Sequence, residues 1–248
     1  MARQRHLPRA PITEALVDFR VVPREGLTYS ELQESFSTMD FGYYVKNPIS
    51  EGTFGFALPP DGKPETTAEA AQTGLRLHSQ DEKYVAQCRL SGFTFSRLPP
   101  YEEWVNLIAE ARRIWAIYAE RLSPKQVIRV ATRYINNLQL PMDVGTSYQK
   151  YVNKLVDLPD EVPQAIATFL QRFQVVDVET NLRAILTLAL DRAAPGERVP
   201  VFLDIDAFVT TQLDLPTQGM WEILDKLRDM KNRCFFGVLT EAAVELYE

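Results

Sequence analysis

Between residues 84 and 138 the apolar side chains change their spacing twice, and that change restricts the chain to a sheet with a helix packed on it. Tyr84, Ala86, Cys88 and Leu90 alternate with Val85, Gln87 and Arg89, the period of two that marks a strand. Leu75 and Leu77 precede them across a polar turn, Ser79-Gln80-Asp81-Glu82, so the two runs predict a hairpin, with Gly92 as a bulge before Phe93 and Phe95. Trp104, Ile108, Ala111, Trp115, Tyr118 and Leu122 then recur at steps of four and three, which predicts an amphipathic helix. It opens after Pro99-Pro100, carries Glu102 and Glu103 in its first turn and stops at Ser123-Pro124. At about 1.5 Å per residue such a helix is roughly 30 Å long, enough to cross five or six strands. Residues 126–138, rich in Val, Ile, Thr and Tyr, predict a strand returning from it.

The flanking segments extend the pattern. Ile12–Val22 alternates, with Ile12, Glu14, Leu16, Asp18 and Arg20 on one face and Ala15, Val17, Phe19 and Val21 on the other. Thr28 and Glu31 form a capping box for a helix carrying Leu32 and Phe36. Residues 59–72, opening with Pro59-Pro60-Asp61-Gly62, predict a mobile loop. A helical insert is expected over 147–173, broken at Leu158-Pro159 and Pro163. A second hairpin follows, from Leu182, Ala184, Leu186, Leu188 and Leu190 through a turn at Ala194-Pro195-Gly196-Glu197 to Val201, Leu203, Ile205, Ala207 and Val209. Thr217 is expected to cap a helix carrying Trp221, Leu224 and Leu227, ahead of a short strand over 235–239 and a last helical turn begun by Thr240.

The two halves share an order of hairpin, helix beginning with Trp, and returning strand. Phe93 and Leu98 lie 115 residues before Phe208 and Leu213, and after a two-residue shift Trp104 and Leu107 lie 117 before Trp221 and Leu224. Internal duplication and chance agreement of two amphipathic hairpins are both open. The fold expected is α+β: an antiparallel sheet from two hairpin-helix-strand units, a long helix on each sheet face and a helical insert. The limits are 1–142, 143–175 and 176–248, unless the whole forms one compact unit.

Chemistry is sparse. With 27 Lys and Arg against 33 Asp and Glu the net charge is −6, which argues against a nucleic-acid-binding surface outside the N-terminal arm, where Arg3, Arg5, Arg9, Arg20 and Arg24 outnumber Glu14 and Asp18. Two Cys and two His cannot supply a four-ligand zinc site, and there is no phosphate loop and no His-Glu-x-x-His, so neither metal nor cofactor is expected. His6 and His78 read as surface residues, Cys88 and Cys234 as inert buried thiols. No apolar run approaches a membrane span, and the protein is expected to be cytoplasmic.

Two candidate sites stand against plainer readings. Asp204 and Asp206 share a strand face, either as an acid/base or metal-binding pair or as the polar positions of an alternating strand. Glu14 and Asp18 share a face of one strand, and Arg129 and Arg133 a face of another. Glu14 with Arg133 is then a structural ion pair or an anion-binding corner, with Asn136 nearby on the same strand.

Several stretches in order resemble a sporadically distributed family of prokaryotic proteins of similar length and unassigned function: Pro11-Ile12-Thr13-Glu14-Ala15, Gly74-Leu75-Arg76-Leu77, residues 93–101 leading to Trp104, Arg133-Tyr134-Ile135-Asn136, the Pro159 and Pro163 insert, and Trp221 through Phe236 to Leu239-Thr240. The resemblance implies a prokaryotic setting and no transferable activity. Three functions are therefore carried forward. The first is a non-catalytic binding or assembly protein, such as an accessory subunit of a stress, toxin-control or defence complex, with a protein partner or a second copy of itself. The others are a metal-assisted hydrolase or nuclease using Asp204 and Asp206 with Arg129 or Arg133 on a phosphate, and a small-ligand binder with a pocket between long helix and sheet.

Overall fold

The computed structural model describes residues 2–37, 41–57, 62, 65–141, 148–153, 159, 161–163, 166–190, 198–216 and 218–248. Among the described residues nine strands form one antiparallel sheet: β1 (Ile12–Val22), β2 (Tyr43–Ala57), β3 (Glu65–Ser79), β4 (Tyr84–Arg89), β5 (Gly92–Arg97), β6 (Gln126–Leu140), β7 (Phe169–Asp177), β8 (Leu182–Leu190) and β9 (Val199–Asp214). Their spatial order is β2-β3-β4-β5-β1-β6-β9-β8-β7. The helices are α1 (Tyr29–Ser37), α2 (Trp104–Leu122), α3 (Gly219–Val238) and the short α4 (Glu241–Val244). The α+β class holds, with the sheet predominating.

Local chemistry sets several boundaries. Thr28 and Glu31 exchange the capping-box bonds, Glu31 N donating to Thr28 Oγ1 at 3.3 Å and Thr28 N to Glu31 Oε2 at 2.9 Å. Ser123 takes the left-handed conformation at φ 45° and closes α2, its N–H donating to Ala119 O. Glu102 and Glu103 precede the first turn of α2, with Glu103 at its N-cap. Thr240 caps α4, accepting from Ala243 N.

The two long helices lie on the same sheet face, not on opposite faces as the sequence suggested. Phe19 of β1 meets the edge of Trp115 on α2, with ring centroids 4.9 Å apart, and of Trp221 on α3, with centroids 5.3 Å apart. One buried cluster runs from Ala15, Val17 and Phe93 through Trp104 and Ile114 to Ala184, Ala207 and Leu224, so both halves share a core. A second cluster joins Leu138, Leu203 and Ile205 to Phe235, Phe236 and Tyr247.

Several expectations change. Residues 65–72 belong to β3, paired with β2 from Glu65↔Ala57 to Gln72↔Ser50, whereas 58–61, 63 and 64 lie outside the described residues. Gly92 is no bulge, since β4 and β5 pair without a shift in register; it is there because β1 passes closely, and an added Cβ would stand 2.7 Å from Phe19 O. In the expected helical insert, Tyr148–Lys150 is a 3-10 turn and 169–173 begin β7; much of the rest, the Leu158 break included, lies outside the described residues. So do the 194–197 turn and Thr217. No strand forms over 235–239: α3 continues to Val238, because Phe235 and Phe236 bury into the second cluster from a helix.

The repeat also has a different boundary. Outward from the β1/β6 seam the order is β1-β5-β4-β3-β2 on one side and β6-β9-β8-β7 on the other, so each half is a leading strand, a meander and a long helix, the first half having one more meander strand and the extra helix α1. The strand after α2 leads the second half. The residue match fails as well, because Phe93 faces the core whereas Phe208 lies on the opposite face beneath the Arg129 guanidinium, 4.6 Å from its ring centroid.

Candidate functional site

Alternation on β1, β4, β5, β6 and β9 sends one set of side chains to the helices and the other to an open face. On that open face the carboxylates suggested by the sequence are held by arginines. Arg129 Nη1 donates to Asp18 Oδ1 at 2.9 Å, and its Nη2 to Asp206 Oδ1 and Oδ2 at 3.0 and 2.8 Å. Arg133 grips Asp204 through both oxygens, at 2.8 and 2.6 Å. Asp18 also accepts from Thr94 Oγ1 at 2.7 Å. Burial, the largest influence on Asp206, holds its carboxyl above the usual range against the pull of Arg129 and Arg133. Arg133 therefore pairs with Asp204; Glu14 lies opposite Ile135 on the neighbouring strand and lines the same depression, of ≈ 430 Å³. Among the described residues no three His, Cys, Asp or Glu side chains gather as metal ligands.

The helix side holds a different site. Even-numbered residues of β6 face the helices there, and Tyr134 and Asn136 form part of a pocket of ≈ 460 Å³ closed by the Tyr101 segment, the start of β1, the N-terminal arm and α3. Asn136 is buried, its side-chain nitrogen donating to Leu203 O at 2.9 Å and Tyr134 O at 3.3 Å, so its amide is committed to the sheet. Tyr101 and Tyr134 share a hydroxyl–hydroxyl hydrogen bond of 2.9 Å. Burial raises both phenols above their ordinary range, which keeps them neutral and able to donate.

α3 sends two cations into this pocket, Arg228 and Lys231, three residues apart on one face. The Lys231 Nζ lies 3.8 Å from the Tyr134 ring centroid, and the Arg228 guanidinium carbon 5.7 Å from the Trp104 ring. Trp104 Nε1 donates to Asp225 at 3.0 Å, which fixes the ring under Arg228. Among the described residues neither cation has an ion-pair partner. Part of the Lys231 surface opens into the pocket, yet packing around the amine strips away bulk water. That desolvation, with Arg228 close by, lowers its pKa from 10.5 to about 7.

The basic N-terminal arm folds onto the end of the same chain. Ala2 N donates to Phe236 O at 3.0 Å, and Arg5 pairs with Glu241 at 2.6 Å and Glu248 at 2.5 Å. His6 stays exposed at the pocket rim. His78 is not a surface residue: it is buried beside its turn, with Nδ1 2.8 Å from Glu82 Oε2. Burial raises the Cys88 and Cys234 thiols, so neither is activated.

Lys231, Arg228 and the Tyr101–Tyr134 pair did not emerge from the sequence. One signal was available: Arg228 and Lys231 fall on the stripe of α3 that begins with Trp221, Leu224 and Leu227, and a charge on an apolar stripe marks an amine forced under cover. No protein-family model matches the chain and no curated protein matches it, so these side chains carry the functional argument.

Proposed function

We propose that this chain is a cytoplasmic, non-catalytic binding protein that holds a small organic anion in its helix-side pocket. The carrying observation is the pair Arg228 and Lys231, both without an ion-pair partner among the described residues, beside neutral Tyr101 and the apolar side chains of Ile12, Phe235 and Phe236. Two cations facing one space, the desolvated Lys231 and the exposed Arg228, favour a carboxylate or phosphate, and the apolar floor favours an organic body attached to it. Native mass spectrometry of the purified protein should retain such a molecule. Arg228→Gln and Lys231→Gln should each weaken its binding about tenfold or more, the worth of a charge-assisted hydrogen bond. The affinity should fall between pH 6 and 8, because Lys231 loses its proton near pH 7. A protein that retains no anion, and variants that bind added anions like the parent, would remove this reading.

A second reading, an accessory subunit of a prokaryotic assembly, draws on β7. This edge strand exposes Leu170, Phe173, Val175 and Val176, with Val178 just beyond it. Light scattering decides it: a mass above 28.3 kDa or a co-purifying protein supports assembly, and a clean monomer opposes it. Membership of the functionally unassigned family that the sequence resembles is part of this second proposal.

A further inference from the structure

The charges in the open-face depression are unevenly matched. Strand register sets Arg129, Arg20, Gly92 and Arg89 side by side across β6, β1, β5 and β4. Like charges in adjacent cross-strand positions repel, so such a row needs counter-charge along its length. The carboxylates supply it at one end. Asp18 and Asp206 take up Arg129, and Asp18 reaches Arg20 Nε only at 3.4 Å.

Arg89 has no carboxylate partner among the described residues. Its Nη1 donates to Thr94 Oγ1 at 3.2 Å and its Nη2 to Gln87 Oε1, both neutral. Burial and then Arg20 push its pKa down; Asp18 and Glu51 oppose them, and Arg76 adds the weakest push downward. Gly92 keeps the space between the two arginines free of a side chain, and Arg20 lies across it, its Cδ 3.2 Å from where a Cβ would stand. Residues two strands apart are about 10 Å apart along the row, a distance that long arginines close around one tetrahedral oxyanion.

We propose that Arg20 and Arg89, across Gly92, form a binding site for the phosphate group of a small phosphorylated molecule. A phosphate suits it better than a carboxylate, because its several acceptor oxygens serve two guanidinium forks at once. The walls agree: among the described residues Leu16 and Ile135 are the only apolar side chains lining the depression, so charge and hydrogen bonding, not an apolar body, would hold the ligand. This site faces away from the helices and is independent of the Lys231 pocket.

Isothermal titration calorimetry at fixed ionic strength tests it, with inorganic phosphate in one arm and glycerol 3-phosphate in the other. Wild type should bind both, and tighter binding of the ester identifies a phosphate monoester as the source. Arg89→Gln should weaken binding about tenfold or more, and Lys226→Gln, which removes the same charge from an exposed helix position, should leave it unchanged. In phosphate-free buffer Arg89→Gln should raise the melting temperature by relieving repulsion in the row, whereas a purely structural Arg89 would lower it. If Arg89→Gln does not fold, Arg20→Gln carries the same binding test. Absence of phosphate binding by wild type, or an unchanged affinity in Arg89→Gln, would overturn the proposal.

Discussion

Replacing Lys231 by Met keeps an unbranched side chain over the Tyr134 ring and removes the amine that the pocket desolvates. The lysine has a native pKa of about 7 against 10.5 when solvated. Below pH 6 both folded and unfolded chains hold this proton, so its contribution to stability does not vary with pH. Between pH 7 and 10.5 the unfolded chain holds it and the folded chain does not, so stability rises with pH by about 1.4 kcal/mol per unit. Integrated from pH 6 to 8, Lys231 alone adds about 1.4 kcal/mol to wild-type stability, an increment absent from the Met variant. At pH 6 the variant should be the more stable protein, with a ceiling of about 5 kcal/mol set by the full shift. The Tyr134 ring face recovers roughly 0.5–2 kcal/mol of the charge's lost hydration, so the observed gain should lie below that ceiling. Urea unfolding of both proteins at pH 6 and 8, in buffers without phosphate or carboxylate, measures the two differences. Parallel pH dependence of wild type and variant would refute the assignment of Lys231 as a desolvated amine.

Gly92→Ala places a Cβ 2.7 Å from the Phe19 carbonyl oxygen, a backbone atom that cannot swing away, and should cost about 1–3 kcal/mol in urea unfolding. A variant as stable as wild type would show that β1 and β5 are not so closely apposed. Arg129→Met strands Asp18 and Asp206 without their shared guanidinium and should cost about 3–5 kcal/mol at pH 7. That loss should shrink at pH 4, because the raised pKa of Asp206 lets it take up a proton early as the pH falls. A loss independent of pH would mean that Arg129 acts by packing on Phe208 alone.

Where the determinants are local, the sequence expresses them directly: the Thr28–Glu31 box, the stop at Ser123-Pro124 and the β3–β4 turn depend on neighbours within a few residues. The 235–239 run misleads because Phe-Phe-Gly-Val-Leu has strand-like composition, and only burial against Leu138, Val201 and Tyr247 from distant segments makes its first four residues helical. Placing both helices on one face required knowing that β1 lies at the centre of the sheet, where Phe19 meets two tryptophans at once. Asp204 and Asp206 were correctly set on one face, but their arginine partners come from β6, and no spacing within β9 reveals them. Lys231 shows the same limit more sharply, since its altered chemistry comes from burial in a pocket that distant segments enclose.

The seam between β1 and β6 bears on how this chain is made and cut. β1 is synthesised ahead of both its sheet neighbours, β5 and then β6, so its edges stay open while much of the first half is produced. A fragment ending at residue 142 would close one of those edges and open another: the fifteen-residue β6 would lose β9, and Tyr134, Leu138 and Leu140 would lose the cover of the C-terminal half. Long apolar strand edges recruit other chains, so such a fragment should aggregate even though its own meander and helix are complete. The similar strand orders of the two halves record a division in topology that does not mark a place where the protein can be divided.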